Sequence, residues 1–291
     1  MTKNNILESV KQLYASVARS TLDNNAASVR SVAQAFGYSA EELESLPPQA
    51  NMGLSCGNPT ATANLREGEV VVDLGCGGGL DVLLAAKKVG ATGKAIGIDM
   101  TADMIERARA GAAKLGATNV DFHVAQIDAM PLADASVDCI LSNCVINLAS
   151  DKPAVFREMI RVLKPGGRLA ISDIALRRDL PPEIAQSMIA YVACFSGAMK
   201  IGLYQRLLNE AGFQSVAIRQ TGADLNVYSQ TGAFGCCPPT NGSKDDACCA
   251  TDLVTIGGTK ILDDTPSRVM LEFDANEYAA SVEIYAVKAN D

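Results

Sequence analysis

The sequence predicts a doubly wound α/β fold: an open parallel sheet covered by helices, with N-terminal helices before it and a small Cys-rich C-terminal region after it. Two observations carry this. From residue 69 onward, short β-branched runs alternate with amphipathic stretches of helical length, the pattern of strands joined by helical crossovers. The 291 residues are 48% hydrophobic and 20% charged, which is enough apolar surface to bury such a sheet on both faces.

The elements follow in order. Val10, Leu13, Tyr14 and Val17 recur at helical spacing, as do Val29, Val32, Ala33 and Phe36. Ser39 to Glu42 reads as a capping box opening a short helix that "LPP" ends. The turn-rich "SCGNPTA" closes this helical region, taken as residues 1–60. The main domain, 61–221, begins with the strand "EVVVDLG", a glycine turn and the helix "GLDVLLAAKKVG". Next come the strand "GKAIGIDM", the helix "TADMIERARAGAAKLG", and the strands "NVDFHVAQ" and "VDCILSN". The helix "PAVFREMIRVLKPGG", the strand "RLAISDI", and a last helix and strand in "LYQRLLNEAGFQSVAIRQ" complete it. Residues 222–291 form the Cys-rich C-terminal region, built round "TGAFGCCPPTNGSKDDACCATD". Its ending, "SVEIYAVKAND", alternates like a strand. It either returns to the main sheet, making roughly 222–280 an insertion, or belongs to a separate small unit.

Composition excludes several classes of function. The net charge is −8 and no Lys/Arg stripe is present, so nucleic acid is not an expected partner. No run of 18 apolar residues occurs, and the first residues are amphipathic; a cytoplasmic protein without membrane association is expected. Nine cysteines accompany a single histidine, His123. In a reducing compartment the cysteines read as core filler, metal or metalloid ligands, or redox groups rather than a disulfide framework. One histidine rules out a site made of several imidazoles.

The chemistry starts at "VVDLGCGGG". Gly75, Gly77 and Gly79 permit a tight turn and close approach of a ligand to the backbone. The dinucleotide pattern wants a further glycine where Leu80 stands, and the Asp73 carboxylate repels a pyrophosphate. A cofactor with a cationic amino group is attracted instead. Asp99 ends the second strand, 20 residues after Gly79, where an acid accepts ribose hydroxyls. In "QIDAMPL", Ile127 is placed to pack on an adenine and Asp128 to accept its exocyclic amine. Met100 and Asn143 complete the expected contacts. This set favours S-adenosylmethionine over NAD or ATP; a packing turn with surface acids is the plainer alternative.

"DLGCGGG", "IGIDMTADMIERAR", "SNCVINL" and "RVLKPGGRLAISDI" resemble the class I, Rossmann-like S-adenosylmethionine methyltransferases. "GLSCGNPTA", "SNCVINL" and "YVACFSGA" narrow the resemblance to the arsenite methyltransferases, over about residues 38–220. The glycine loop marks only the superfamily, and the cysteine segments are the specific part. The resemblance implies that Cys56, Cys144 and Cys194 bind trivalent arsenic, taking arsenite or its thiol conjugates as substrate. It also implies that thiols closing to a disulfide offset oxidation at arsenic, with thioredoxin or glutathione as the reductant. The chemistry agrees, because soft thiolates select a soft centre. The arsenic lone pair attacks the sulfonium methyl directly, so no general base is needed.

The bland readings stay open for single residues. Cys144 behind a strand and Cys194 in the apolar helix "IAQSMIAYVACFSGA" also fit as core. Cys56, in a polar loop, fits less well as core. Cys76, Cys139 and His123 are read as structural. Two features depart from the family. Many relatives carry a further N-terminal cysteine, and "LDNNAASVRS" has none. The pairs Cys236–Cys237 and Cys248–Cys249 could capture arsenite, hold zinc or be exposed; their spacing departs from the usual zinc knuckle. Competing functions are a methyltransferase for a quinone- or sterol-like acceptor, and a thiol protein that sequesters arsenic.

Overall fold

The computed structural model describes residues 3–230, 255–256, 259–260 and 273–290. Helix α1 (Lys3–Arg19) buries Val10 and Val17, and α2 (Ala27–Ala35) buries Val29, Val32 and Ala33. The capping box forms as its sequence requires. Ser39 Oγ accepts the Glu42 N–H, and Glu42 Oε2 accepts the Ser39 N–H, each at 3.0 Å, starting α3 (Ala40–Glu44). The loop after it ends in a one-turn helix, α4 (Pro59–Thr62), which has Pro59 at its first position and Asn58 as cap.

Strand β1 (Val70–Leu74), helix α5 (Leu80–Val89), β2 (Lys94–Asp99), α6 (Ala102–Leu115) and β3 (Val120–Val124) make two successive parallel units. Strand β4 (Val137–Asn143) crosses to the other side of β1, and α7 (Lys152–Val162) leads into β5 (Leu163–Leu176). The sequence placed "LKPGG" in that helix. In the structure it opens the strand, because Pro165 disfavours helical geometry in Lys164 and cannot donate a backbone hydrogen bond. Short helices α8 (Pro182–Ala185) and α9 (Met188–Val192) precede β6 (Met199–Lys200), a brief parallel partner of β5. Helix α10 (Ile201–Ala211), β7 (Phe213–Gln220) and α11 (Val227–Gln230) follow. Strands β8 (Thr255–Ile256) and β9 (Thr259–Lys260) form a separate antiparallel pair.

The terminal strand β10 (Ala279–Lys288) lies between β5 and β7, antiparallel to both. The sheet order is β3-β2-β1-β4-β5-β10-β7, with β6 beside β5. Of the two placements open for "SVEIYAVKAND", the structure takes the return to the sheet. The stretch 222–291 is therefore not one unit, since its last strand is an inner strand of the main sheet. Burial explains why. Val282, Ile284 and Ala286 join the core under α7 and α10.

Both faces of the sheet are covered. Val72, Leu74, Ile96, Ile98 and Ile140 point toward Phe156, Met159, Tyr204 and Leu208. Their neighbours Val71, Ala95, Cys139 and Leu141 point toward Leu83, Ala85, Ile105 and Ala108. The period of two with apolar residues on both sides is that of a parallel sheet buried between helices. Cys139 is thus core, as its alternation predicted. Among the described residues no helix is long and apolar enough to cross a membrane.

Candidate active site

The strand order reverses between β1 and β4, and the loops leaving their carboxyl ends open the main cavity, as expected at such a switch point. This cavity, about 140 Å³, is lined by Asp73, Gly75, Gly77, Asp99, Met100, Ile127, Asp128, Asn143 and Cys144. Every expected cofactor contact except Gly79 borders it. Gly79 serves packing instead. It takes φ +90°, and a Cβ there would meet the Ala108 side chain at 3.2 Å, so it seats α5 against α6.

The other loop glycines divide the work. A Cβ on Gly75 would come within 2.5 Å of Val145 Cγ2, so Gly75 lets the loop after β4 close on the loop after β1. Gly77 takes φ +49° and faces the cavity, where the nearest atom to a Cβ would be Met52 Cε at 3.5 Å. Its N–H donates to Asp99 Oδ2 at 3.0 Å, and Thr101 N–H donates to Oδ1 at 2.8 Å. Asp99 is therefore fixed at the cavity edge by backbone donors, with lone pairs left for a ligand. Burial raises its carboxyl above the usual range.

Asp73 is 3% exposed, and among the described residues its Oδ1 has no hydrogen-bond partner. Burial, then the nearby Asp81 and Asp99, raise its carboxyl well above the usual range. A buried, unpartnered carboxylate oxygen calls for a donor from a ligand. Asp81 was missed by sequence reasoning, although it is the one acid in the apolar start of α5. It accepts the Tyr38 hydroxyl at 2.8 and 3.0 Å and Asn143 Nδ2 at 3.2 Å, and burial pushes it up to about 6.

A second cavity of about 30 Å³ lies behind the first and is lined by Cys56, Cys144 and Cys194 with Tyr14, Leu54, Val192, Phe195 and Tyr228. Cys144, Tyr14 and Leu54 border both cavities. Three segments far apart in sequence thus bring their cysteines to one place. Cys56 and Cys144 are joined as a disulfide with Cα atoms 5.8 Å apart, across 88 residues. The expectation of cysteines without disulfides is corrected at this pair. The physical reason is that folding sets two thiols within bonding range, which fits the redox-active alternative named from the sequence. Cys194 is a free thiol, and its Sγ donates to the Cys144 carbonyl at 2.9 Å. Burial first, then Asp173, raises it well above the usual thiol range. Among the described residues no group of three or more His, Cys, Asp or Glu side chains stands ready to hold a metal ion.

Two of these cysteines carry backbone strain. Cys144 takes φ +60° and Cys194 φ +66°, a region that costs a non-glycine residue roughly 1–2 kcal/mol. Cys194 was read from sequence as lying inside a helix. It follows α9, in the place a glycine usually fills at a helix C-terminus: Phe195 N–H bonds to Ala190 O at 2.8 Å and Cys194 N–H to Tyr191 O at 2.9 Å. The turn aims the thiol into the small cavity, which an extra helical turn would not do.

Polar side chains hold the cysteine segments in place. Asn143 Oδ1 accepts the Cys56 N–H at 2.9 Å, while its Nδ2 donates to Gly57 O at 2.8 Å and to the Tyr38 hydroxyl oxygen at 2.9 Å. Ser281 on β10 donates to the Cys56 carbonyl at 2.7 Å. Asn147 Nδ2 donates to Asp173 Oδ1 at 2.8 Å, Ile174 O at 2.7 Å and Cys194 O at 3.3 Å. Asp173 is fully buried and pushed up to about 7 by burial. Asn147, Asp173 and Tyr228 carried no sequence signal beyond a polar group in an apolar run. Cys76 is buried in the glycine turn and borders the large cavity. His123 is a half-buried side chain with Nε2 3.4 Å from Asp121 Oδ2. Cys236, Cys237, Cys248 and Cys249 lie outside the described residues.

A family model described as a methyltransferase domain matches residues 65–212. The arsenite methyltransferase of Halobacterium salinarum is 44% identical over 183 residues, 63% of this chain and 47% of that protein. The arsenite methyltransferase of Aquipseudomonas alcaligenes is 35% identical over 71% of this chain and 61% of its own length. The chain thus spans about half to three-fifths of these curated relatives. Among solved structures, an arsenic(III) S-adenosylmethionine methyltransferase from Chlamydomonas reinhardtii superposes with a TM-score of 0.53 at 27% identity. That match covers 90% of this chain and 74% of the other.

Proposed function

This chain belongs to the methyltransferase-domain family, and from that premise we propose that it transfers a methyl group from S-adenosylmethionine to trivalent arsenic held by Cys56, Cys144 and Cys194. The single observation that carries the reading is that Cys144 borders both cavities, so a soft substrate on the thiols and a cofactor beside Asp73 and Asp99 would meet at one residue. The large cavity fits the cofactor's chemistry. The orphaned Asp73 oxygen suits a cationic amino group, Asp99 suits ribose hydroxyls, and Ile127 and Asp128 suit an adenine.

When bound, S-adenosylmethionine supplies an electrophilic methyl group on a sulfonium. The protein's part is positional. Three thiolates hold arsenic as a trigonal pyramid, with its lone pair free to attack. Asn143 and the αL turn at Cys194 fix two of the ligands before substrate arrives, so most of the rate comes from holding the reacting atoms at attack distance. Methylation raises arsenic from the trivalent to the pentavalent state. Cys56 and Cys144 return it to trivalent by giving up two electrons as they close to a disulfide. An external thiol reductant, of the glutathione or thioredoxin kind, restores the thiols. Arsenic detoxification in the cytoplasm is the physiological role this activity suggests.

The test is incubation of the purified, reduced protein with S-adenosylmethionine, a thiol and arsenite, followed by chromatography with elemental detection. Methylated arsenic, absent with Cys144→Ser, supports the reading. Bound cofactor and arsenite without methylated product would move it to sequestration or to another acceptor.

A further inference from the structure

The small cavity measures about 30 Å³, and Cys56, Cys144 and Cys194 all line it. One water needs roughly 10–15 Å³ of such space, and an apolar cavity that takes up benzene measures about 150 Å³. Arsenic bearing a hydroxyl or a methyl group is within that compass, and arsenic bearing an aromatic ring is not. The remaining walls are braced. Phe195 is 1% exposed, and its ring meets Phe273 edge-on at 5.9 Å, which in turn stacks on Tyr278 at 5.1 Å. Tyr228 leans on Phe36 at 5.3 Å, and its hydroxyl donates to the Ser55 carbonyl. The Tyr14 hydroxyl donates to the Val192 carbonyl at 3.2 Å. Walls packed in this way resist displacement, so a bulkier group does not make its own room.

We infer that Phe195 sets an upper limit on the substituent arsenic can carry into this site: inorganic and methylated arsenic fit between the thiols and this ring, and aryl arsenicals do not. This rests on the proposed function in placing arsenic on the cysteines and the cofactor in the large cavity. A trivalent arsenical R–As(OH)₂ exchanges its two As–O bonds for two As–S bonds, and the two thiol protons leave with the hydroxyls as water. Its third bond keeps R, and the fourth direction is the lone pair. Attack on the sulfonium methyl needs the lone pair turned toward the large cavity, so R lies in the small one, against Phe195. Turned the other way, R takes the cofactor's place and the lone pair faces away from the methyl. Leu54 is half-buried and borders both cavities, as Cys144 does, so it narrows the passage between them.

The experiment uses the full chain carrying Cys236→Ser, Cys237→Ser, Cys248→Ser and Cys249→Ser, so that no adjacent cysteine pair competes for arsenic. The chain is kept reduced with a phosphine and saturated with S-adenosylhomocysteine, which fills the large cavity. Calorimetry measures its affinity for methylarsonous acid and for phenylarsine oxide, each divided by the affinity of that arsenical for dithiothreitol. This parent chain should prefer the methyl arsenical by about tenfold or more. Phe195→Ala leaves space for a ring and should shrink that preference by about tenfold. Phenylarsine oxide should also raise the melting temperature of that variant more than methylarsonous acid does. Should Phe195→Ala not fold, Leu54→Ala should shrink the preference in the same direction by a smaller factor, about threefold. Equal normalised affinities in the parent, or a preference that neither substitution reduces, would overturn the inference. Only binding is read, so a failed methylation assay sinks the proposed function and leaves this result standing. Methylation of arsenite without any size preference does the reverse.

Discussion

The side-chain oxygen of Asn143 accepts the backbone N–H of Cys56 at 2.9 Å, tying a loop 87 residues away to the end of β4. The same amide donates to Gly57 O and lies against Asp81 and Tyr38. Asn143 was expected to contact cofactor; it borders the large cavity while most of its hydrogen-bonding capacity goes to the Cys56 loop. Asn143→Ala leaves buried backbone groups without partners, which costs roughly 1–3 kcal/mol. Chemical denaturation should show that loss. Calorimetric titration of the reduced variant should show weaker arsenite binding, with a smaller change for S-adenosylhomocysteine.

Single Cys→Ser changes at positions 56, 144 and 194 remove one thiolate and leave two. Methylation by each reduced variant should fall about 10²-fold or more, since arsenic is no longer held for attack. The affinity for S-adenosylhomocysteine should stay close to that of the parent for Cys56→Ser and Cys194→Ser, which do not border the large cavity. A variant that still methylates arsenite at the parent rate would return its cysteine to the core.

Asp73→Asn tests the orphaned oxygen. If Oδ1 receives the cofactor's ammonium, loss of the charge should weaken S-adenosylmethionine binding by about 1.5–3 kcal/mol. The ligand-free variant should be no less stable than the parent, because its buried carboxylate beside Asp81 and Asp99 is removed. Calorimetry and thermal unfolding read the two effects separately.

Asp81 and Asp173 are raised to about 6 and about 7 in the folded protein, each chiefly by burial. In the unfolded chain both titrate near 4. Their contribution to stability is thus fully present below pH 4 and is lost as pH rises through the folded values. Each adds at most about 1.4 kcal/mol of loss per pH unit. Urea unfolding of the ligand-free protein should show stability declining from pH 5 toward pH 7, and Asp173→Asn should flatten that decline.

Gly75→Ala places a methyl within 2.5 Å of Val145 Cγ2 at a backbone φ of +67°. Overpacking and backbone strain together should destabilise by about 2–4 kcal/mol. Adding Val145→Gly should recover part of this, because it removes both the Cγ2 contact at 2.5 Å and the Cβ contact at 2.6 Å and leaves the strain. A double-mutant cycle in denaturant measures that coupling.

Local pattern made much of the molecule legible. The short apolar runs "VVVDL" and "VDCILS", spaced by helix-length stretches, identified strands because a strand buried between helices must be apolar on both faces. Ser39 and Glu42 announced a helix start because the capping box closes within four residues. Asp73 and Asp99 stood out as acids at strand ends. Three cysteines were singled out by a family resemblance, with soft-ligand chemistry in support. Asp81 and Asp173 were passed over, since one charge in an apolar run does not say what it meets. The reversal at Cys194 was also invisible, because a cysteine there replaces the glycine that marks such a turn.

What the sequence determined by itself is what nearest neighbours decide: the elements, their order and the glycine turn. Tertiary structure decided the rest. It placed the terminal strand between β5 and β7, closed Cys56 on Cys144 across 88 residues, and left Cys144 alone of that pair facing the large cavity. These are contacts between distant segments, fixed by how buried surfaces pack against each other, and no local periodicity encodes which partner each surface finds.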